Sequence, residues 1–82
     1  MKILVNVFVP SISKEYDILV PSNLRIRLVV SLIANCIEDL TDHSYVSSGE
    51  ECLCSLEKDI LLRDNTTLSS YGIQNGHHLM MI

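Results

Sequence analysis

The stretch Leu24 to Leu40, LRIRLVVSLIANCIEDL, constrains the fold most, because only there does helical periodicity persist over several turns. Ile26, Val29, Val30, Ile33, Ile37 and Leu40 recur at three- and four-residue spacing and therefore share one face. Leu28, Leu32 and Cys36 widen that stripe, so the helix is expected to be covered on most of its circumference. Pro21 lies just upstream, and Ser22 or Asn23 is placed to cap the start. Glu38, Asp39, Thr41 and Asp42 end the apolar face. Two acids in the last turn oppose the helix dipole, so packing rather than capping is expected to hold that end. The plain reading is a core helix, and a partner-binding helix is the alternative.

Everything around this helix reads as short strands. Lys2 to Val9 is β-branched and alternating. Ile3, Val5, Val7 and Val9 share one side, and Leu4, Asn6 and Phe8 the other. Pro10 to Ser13 is a turn, and Glu15 to Val20 returns as a second strand with Tyr16, Ile18 and Val20 on its inner side. After the helix, Thr41 to Gly49 is a polar loop. Glu51 to Glu57 alternates again, Lys58-Asp59 turns, and Ile60 to Leu62 is a short run. Arg63 to Thr66 is a further turn, Leu68 to Tyr71 a single helical turn ended by Gly72, and Asn75-Gly76 announces a last strand, His77 to Ile82. One wide-faced helix among such strands implies a curved sheet wrapped across it, an α+β domain.

The totals fit one domain spanning residues 1–82. A chain of this length removes only about 60 to 65% of its unfolded surface from water, which leaves room for a single core. The net charge is −4, and the six basic residues are scattered. That argues against nucleic acid and anionic membrane as partners, since phosphate recognition needs a basic stripe. Three cysteines, an odd number without a regular framework, point to a reducing compartment. Lys2 followed by ILVNVFV resembles a signal peptide only superficially: the run is short, contains Asn6, and ends at Pro10 without a small-residue cleavage site. No window approaches the roughly 18 uninterrupted apolar residues of a membrane span. A cytoplasmic location is therefore expected, with no direct membrane insertion.

The order strand, strand, helix, strand, short strand, strand is that of the β-grasp. Asp64 to Gln74, DNTTLSSYGIQ, resembles the segment of ubiquitin that precedes its final strand. The chain is also similar to the EsaB/YukD family of ubiquitin-like proteins of bacterial type VII (WXG100) secretion systems. The similarity lies in length, in Tyr16-Asp17-Ile18-Leu19 at the end of the second strand, and in the closing run Leu68 to Leu79, LSSYGIQNGHHL. Ser70 and His77 stand where the family pattern has acids, and Asp42 to Glu57 matches by order alone. The resemblance implies a ubiquitin-like β-grasp with a mixed sheet of four to five strands packed on one helix. It also implies that the Tyr71 hydroxyl anchors to backbone in the preceding loop, with Leu68, Ile73, Leu79 and Met81 in the core. As a partner it implies another protein, a component of type VII secretion, for which this chain is an accessory or regulatory element.

Three chemistries are conceivable for a chain of this kind. A covalent modifier or sulfur carrier of this fold acts through a flexible Gly-Gly tail, whereas this sequence closes on Leu79-Met80-Met81-Ile82, so conjugation is disfavoured. Cys52-x-Cys54 is the best metal or redox candidate, since residues two apart on a strand share a face. Zinc needs roughly four ligands, and no second Cys/His pair has matching spacing. No metal or cofactor is expected. Alternation turns Cys52, Cys54 and Leu56 inward, while alignment with ubiquitin turns Leu53 and Ser55 inward. The first is preferred because the second points Glu57 at the core. Neither a nucleophile elbow nor a glycine-rich phosphate loop accompanies His43, His77 and His78, so the chain is expected not to be an enzyme.

What remains is surface. With Leu79 and Met81 inward, His78, Met80 and Ile82 face out, beside the first strand. Leu4, Phe8, Leu19, Met80 and Ile82 then form a candidate partner-binding patch, and a second copy of the chain is a further candidate partner through a two-fold.

Overall fold

The computed structural model describes residues 1–82. Strands β1 (Lys2–Val9) and β2 (Lys14–Pro21) form the hairpin, joined by a 3-10 turn at Pro10–Ile12. Helix α1 (Ile26–Leu40) follows, then β3 (Leu53–Ser55), β4 (Ile60–Leu61) and β5 (His78–Met81). They make one five-stranded sheet in the order β2-β1-β5-β3-β4. The β1–β5 pair is parallel and the other pairs are antiparallel. This is the α+β arrangement expected, a mixed sheet on one helix.

Alternation decides the core. Ile3, Val5, Val7 and Val9 of β1 are buried, as are Ile18 and Val20 of β2 and Leu79 and Met81 of β5. They meet Ile26, Val29, Val30, Ile33, Ala34 and Ile37 of α1. Leu62, Leu68 and Ile73 close the bottom of this cluster. The helical turn after Thr67 is present: Tyr71 N–H donates to the carbonyls of Thr67 and Leu68, and Gly72 N–H to Ser69. Gly72 has φ of 72°, the left-handed region where a residue without Cβ is least strained. The Tyr71 hydroxyl accepts from Arg63 N–H at 3.0 Å, the anchor that the resemblance implied.

The helix departs from expectation in three respects. Leu28 and Leu32 are each 47% exposed and Leu40 is 58% exposed, so the wide stripe is covered only on its central face. No strand lies beyond β2, and Leu40 sits with Ile12 and Tyr16 at that margin. Second, neither Ser22 nor Asn23 caps the helix. The first-turn donors Ile26 and Arg27 are satisfied by the carbonyls of Thr66 and Asp64, at 2.7 and 3.3 Å, from the turn that precedes Leu68. Ser22 is buried instead, and its hydroxyl donates to the Met1 carbonyl. Third, the C-terminal end is capped. Thr41 donates to Ile37 through both its N–H and its hydroxyl, and His43 N–H reaches Glu38.

The polar loop beyond is held by carboxylates. Glu51 accepts from the Tyr45 hydroxyl at 2.6 Å and from the Ser47 hydroxyl and Ser48 N–H, while Glu38 accepts from Ser47 N–H. Burial raises the Tyr45 hydroxyl pKa, and the adjacent Glu51 raises it further. This network carries the chain from α1 to β3.

At β3 the inward face is Leu53 and Ser55, which are 0% and 1% exposed. Cys52 and Leu56 are exposed and Cys54 is half-buried. The expectation that Cys52, Cys54 and Leu56 point inward is therefore overturned. Its premise was a strand running to Glu57, but pairing with β5 ends at Ser55, and Glu57 lies in the following turn, where nothing directs it at the core.

Candidate interaction surface

The outer face of the sheet is read from its register. Phe8 lies opposite Glu15 on β2 and beside Met80 on β5; Met80 pairs with Cys54 on β3, and Cys54 with Leu61 on β4. All five residues point away from α1. Phe8, Met80, Cys54 and Leu61 thus form a continuous apolar row across four strands, about 14 Å long at the usual strand spacing. Leu61 is 57% exposed, and Phe8, Met80 and Cys54 are half-buried by one another and their neighbours. Ile82 lies beside the middle of the row, two residues beyond Met80 in the same direction along the chain, where it exchanges two backbone hydrogen bonds with Cys52, at 2.6 and 2.9 Å.

Leu4 and Leu19 are cross-strand partners on the same face, but the structure does not join them to this row. A polar row lies between. Asn6 donates to Asp17 at 3.1 Å and neighbours His78 on β5. His78 is tied in turn to Glu57: its N–H donates to both carboxylate oxygens at 2.8 and 3.0 Å, and its Nδ1 lies 2.6 Å from Oε2. The five residues singled out by sequence are therefore two groups, Leu4 with Leu19 and Phe8 with Met80 and Ile82. Cys54 and Leu61, which complete the second group, were missed because both depend on the register of β3. The alignment with ubiquitin carried the signal, since turning Leu53 inward turns Cys54 out.

The Glu57–His78 pair sets the electrostatics of this face. The hydrogen bond from His78 holds the Glu57 carboxyl down at about 2. The same bond raises His78, with the negative charges of Glu57, Glu15 and Asp17 adding to it. A lowered carboxylate stabilises the fold above its unfolded value and is lost as pH falls through its folded value. A raised imidazole stabilises below its unfolded value and is lost as pH rises through its folded one. The pair therefore acts fully between the ordinary values of 4.5 and 6.5 and fades on either side. In Glu57→Gln the His78 titration, followed by its ring-proton resonances, is expected to move to lower pH. An unchanged midpoint would show that the pair does not form in solution.

Cys36, Cys52 and Cys54 are free thiols, and no group of three or more His, Cys, Asp or Glu residues is placed to share one ion. No helix is long and apolar enough to cross a membrane.

No family model matches the sequence, and no curated protein matches it either. Solved structures do. The ubiquitin-like domain of the Mycobacterium tuberculosis type VII secretion system protein ECCD1 superposes with a TM-score of 0.78 at 10% identity, over 100% of this chain and 98% of that one. The ubiquitin-like domain of Arabidopsis thaliana At2g32350 gives 0.75 at 22% identity, over 99% of this chain and 76% of that one. Caldiarchaeum subterraneum ubiquitin gives 0.75 at 16% identity, over 100% and 92%. At such identities the likeness is one of architecture, and it carries one conclusion: this chain has the ubiquitin-like β-grasp fold.

Proposed function

We propose that this chain is a non-catalytic, non-conjugated protein-interaction module that serves as a cytoplasmic accessory or regulatory component of a type VII secretion system. The observation that carries the interaction reading is the apolar row Phe8–Met80–Cys54–Leu61 on a sheet face that no element of the fold covers. A row of this kind suits a partner that presents apolar anchors. Its margin suits basic residues on that partner, because Glu15 and Asp17 border it on β2 and Glu57 on the β3–β4 turn. The secretion reading is supported by the resemblance to the EsaB/YukD family in Leu68 to Leu79, and by the likeness to a domain of a type VII secretion system protein.

A photo-crosslinking amino acid placed at Met80 in the parent cells tests both halves. Capture of a secretion ATPase, a WXG100 substrate or a membrane component of that system is the expected result. Capture confined to proteins outside it would refute the secretion role while leaving an interaction module. No capture, with the protein folded and expressed, would refute the row as a working surface.

A further inference from the structure

The sheet is open along β2. That strand ends the sheet on its side, and its register with β1 runs unbroken from Lys14 to Pro21, with neither a bulge nor an internal proline to blunt the edge. The opposite edge, β4, is only Ile60–Leu61 and offers no comparable template. On β1, Leu4 and Asn6 direct their backbone groups toward β5. Leu4 N–H donates to the Asn75 side chain, the Leu4 carbonyl accepts from Gly76, and Asn6 N–H donates to the His77 carbonyl. Ile3, Val5 and Val7 therefore bond to Val20, Ile18 and Tyr16 of β2. The intervening Glu15, Asp17 and Leu19 turn their N–H and C=O groups to the open side, where no loop or helix backbone reaches them. Apolar surface adjoins this edge. α1 returns antiparallel to β2, so that Leu40 lies with Ile12 and Tyr16 near the start of the strand. Leu32 and Cys36 precede Leu40 at four-residue spacing. Arg27, Ser31 and Asn35 line the other flank of the helix, toward residues 47–52, which leaves Leu32 and Cys36 on the β2 flank.

We propose that the groove between β2 and α1 takes an extended, basic segment of another protein, which adds to β2 as a further strand. Backbone hydrogen bonds to Glu15, Asp17 and Leu19 hold the segment. Its alternate side chains are apolar and settle on Leu32, Cys36 and Leu40, of which Leu32 is 47% and Leu40 58% exposed. The incoming strand thus covers the part of the apolar helix stripe that the sheet leaves open. Charge selects the occupant. Glu15 and Asp17 project from the strand to be paired and Asp42 rims the groove, with Lys14 the one base among them. Lysine or arginine on the added strand meets these acids. A second copy is disfavoured, because its β2 brings a further Glu15 and Asp17 to the same edge. The groove is separate from the Phe8–Met80 row and does not depend on it.

Amide hydrogen exchange of the full chain, followed by NMR, tests the proposal with a synthetic peptide of about ten residues, valine and threonine alternating between lysine ends. With about 1 mM peptide and an affinity near ~0.1 mM, the Glu15, Asp17 and Leu19 amides are expected to exchange about tenfold more slowly. Leu19→Pro removes a donor that no bond within the fold uses, and edge strands tolerate such a proline. Leu32→Ser removes part of the apolar wall. Each is expected to weaken peptide binding by about tenfold with an unchanged circular dichroism spectrum. Two further peptides, N-methylated at odd or at even positions, decide the matter even if neither variant folds. The one whose methyl groups face β2 is expected to bind at least about tenfold more weakly. Parent-like binding by both overturns strand addition, as does unchanged exchange at the three edge amides or a response centred on Phe8 and Met80. A peptide with glutamate ends that binds equally well overturns the basic occupant. Edge amides that slow with protein concentration in the absence of peptide would make a second copy the occupant and overturn the proposal too.

Discussion

Leu53→Ala is expected to lower the unfolding free energy by about 2 to 5 kcal/mol, while Leu56→Ala changes it by less than about 0.5 kcal/mol. The two leucines are three residues apart and of identical chemistry, so the difference isolates which way β3 faces. Leu53 is fully buried opposite Met81, and truncating it leaves a cavity between β5 and α1 that close-packed neighbours fill poorly. Leu56 is 49% exposed beyond the last strand pair. Domains of this size are stable by only about 5 to 15 kcal/mol, so the first loss is a large fraction of the whole. Urea midpoints with unchanged slopes measure both. The reverse ranking would restore the orientation in which Cys52, Cys54 and Leu56 are inward. Ile73→Ala, which opens the core from the 62–73 segment, is expected to fall in the range of Leu53→Ala.

The orientation of β3 also shows where sequence stops being sufficient. In β1, eight residues alternate and the inward set is entirely β-branched, so its face is legible without any partner. β3 has three paired residues, and cysteine and serine are both small enough to sit on either side. Three residues cannot establish a period. The helix ends fail for another reason. The carbonyls that accept from Ile26 and Arg27 belong to Thr66 and Asp64, roughly forty residues downstream, and no local capping rule reaches that far. The closing third was legible because its residues are specified by backbone geometry: Gly72 by its positive φ and Tyr71 by the donor it must meet. At the candidate site, Phe8 and Met80 followed from adjacency of the first and last strands alone. The row that divides them from Leu4 and Leu19 did not, because Glu57 reaches His78 from a turn whose position depends on where β3 ends.

That division gives the functional prediction its sharpest form. Phe8→Lys combined with Met80→Lys is expected to leave the domain folded, because both side chains point away from α1 and Glu15 lies opposite Phe8 to receive a positive charge. The same variant is expected to weaken partner binding at least ~30-fold, the loss that follows when a central apolar anchor of an interface is replaced by a charge that must be desolvated. Leu4→Lys, on the far side of the Asn6–Asp17–His78 row, is expected to change binding by less than about threefold, as contacts outside the central anchors usually do. Circular dichroism establishes folding, and titration against the partner identified by crosslinking at Met80 measures affinity. Equal losses from Leu4→Lys and from the double variant would mean that the polar row lies inside one larger interface rather than at its border. An unfolded double variant would mean that Phe8 and Met80 belong to the core and that the outer face has been misassigned. A folded variant that binds its partner as the wild type does would reduce the apolar row to ordinary surface, and the docking face would then have to be sought on the helix side of the fold.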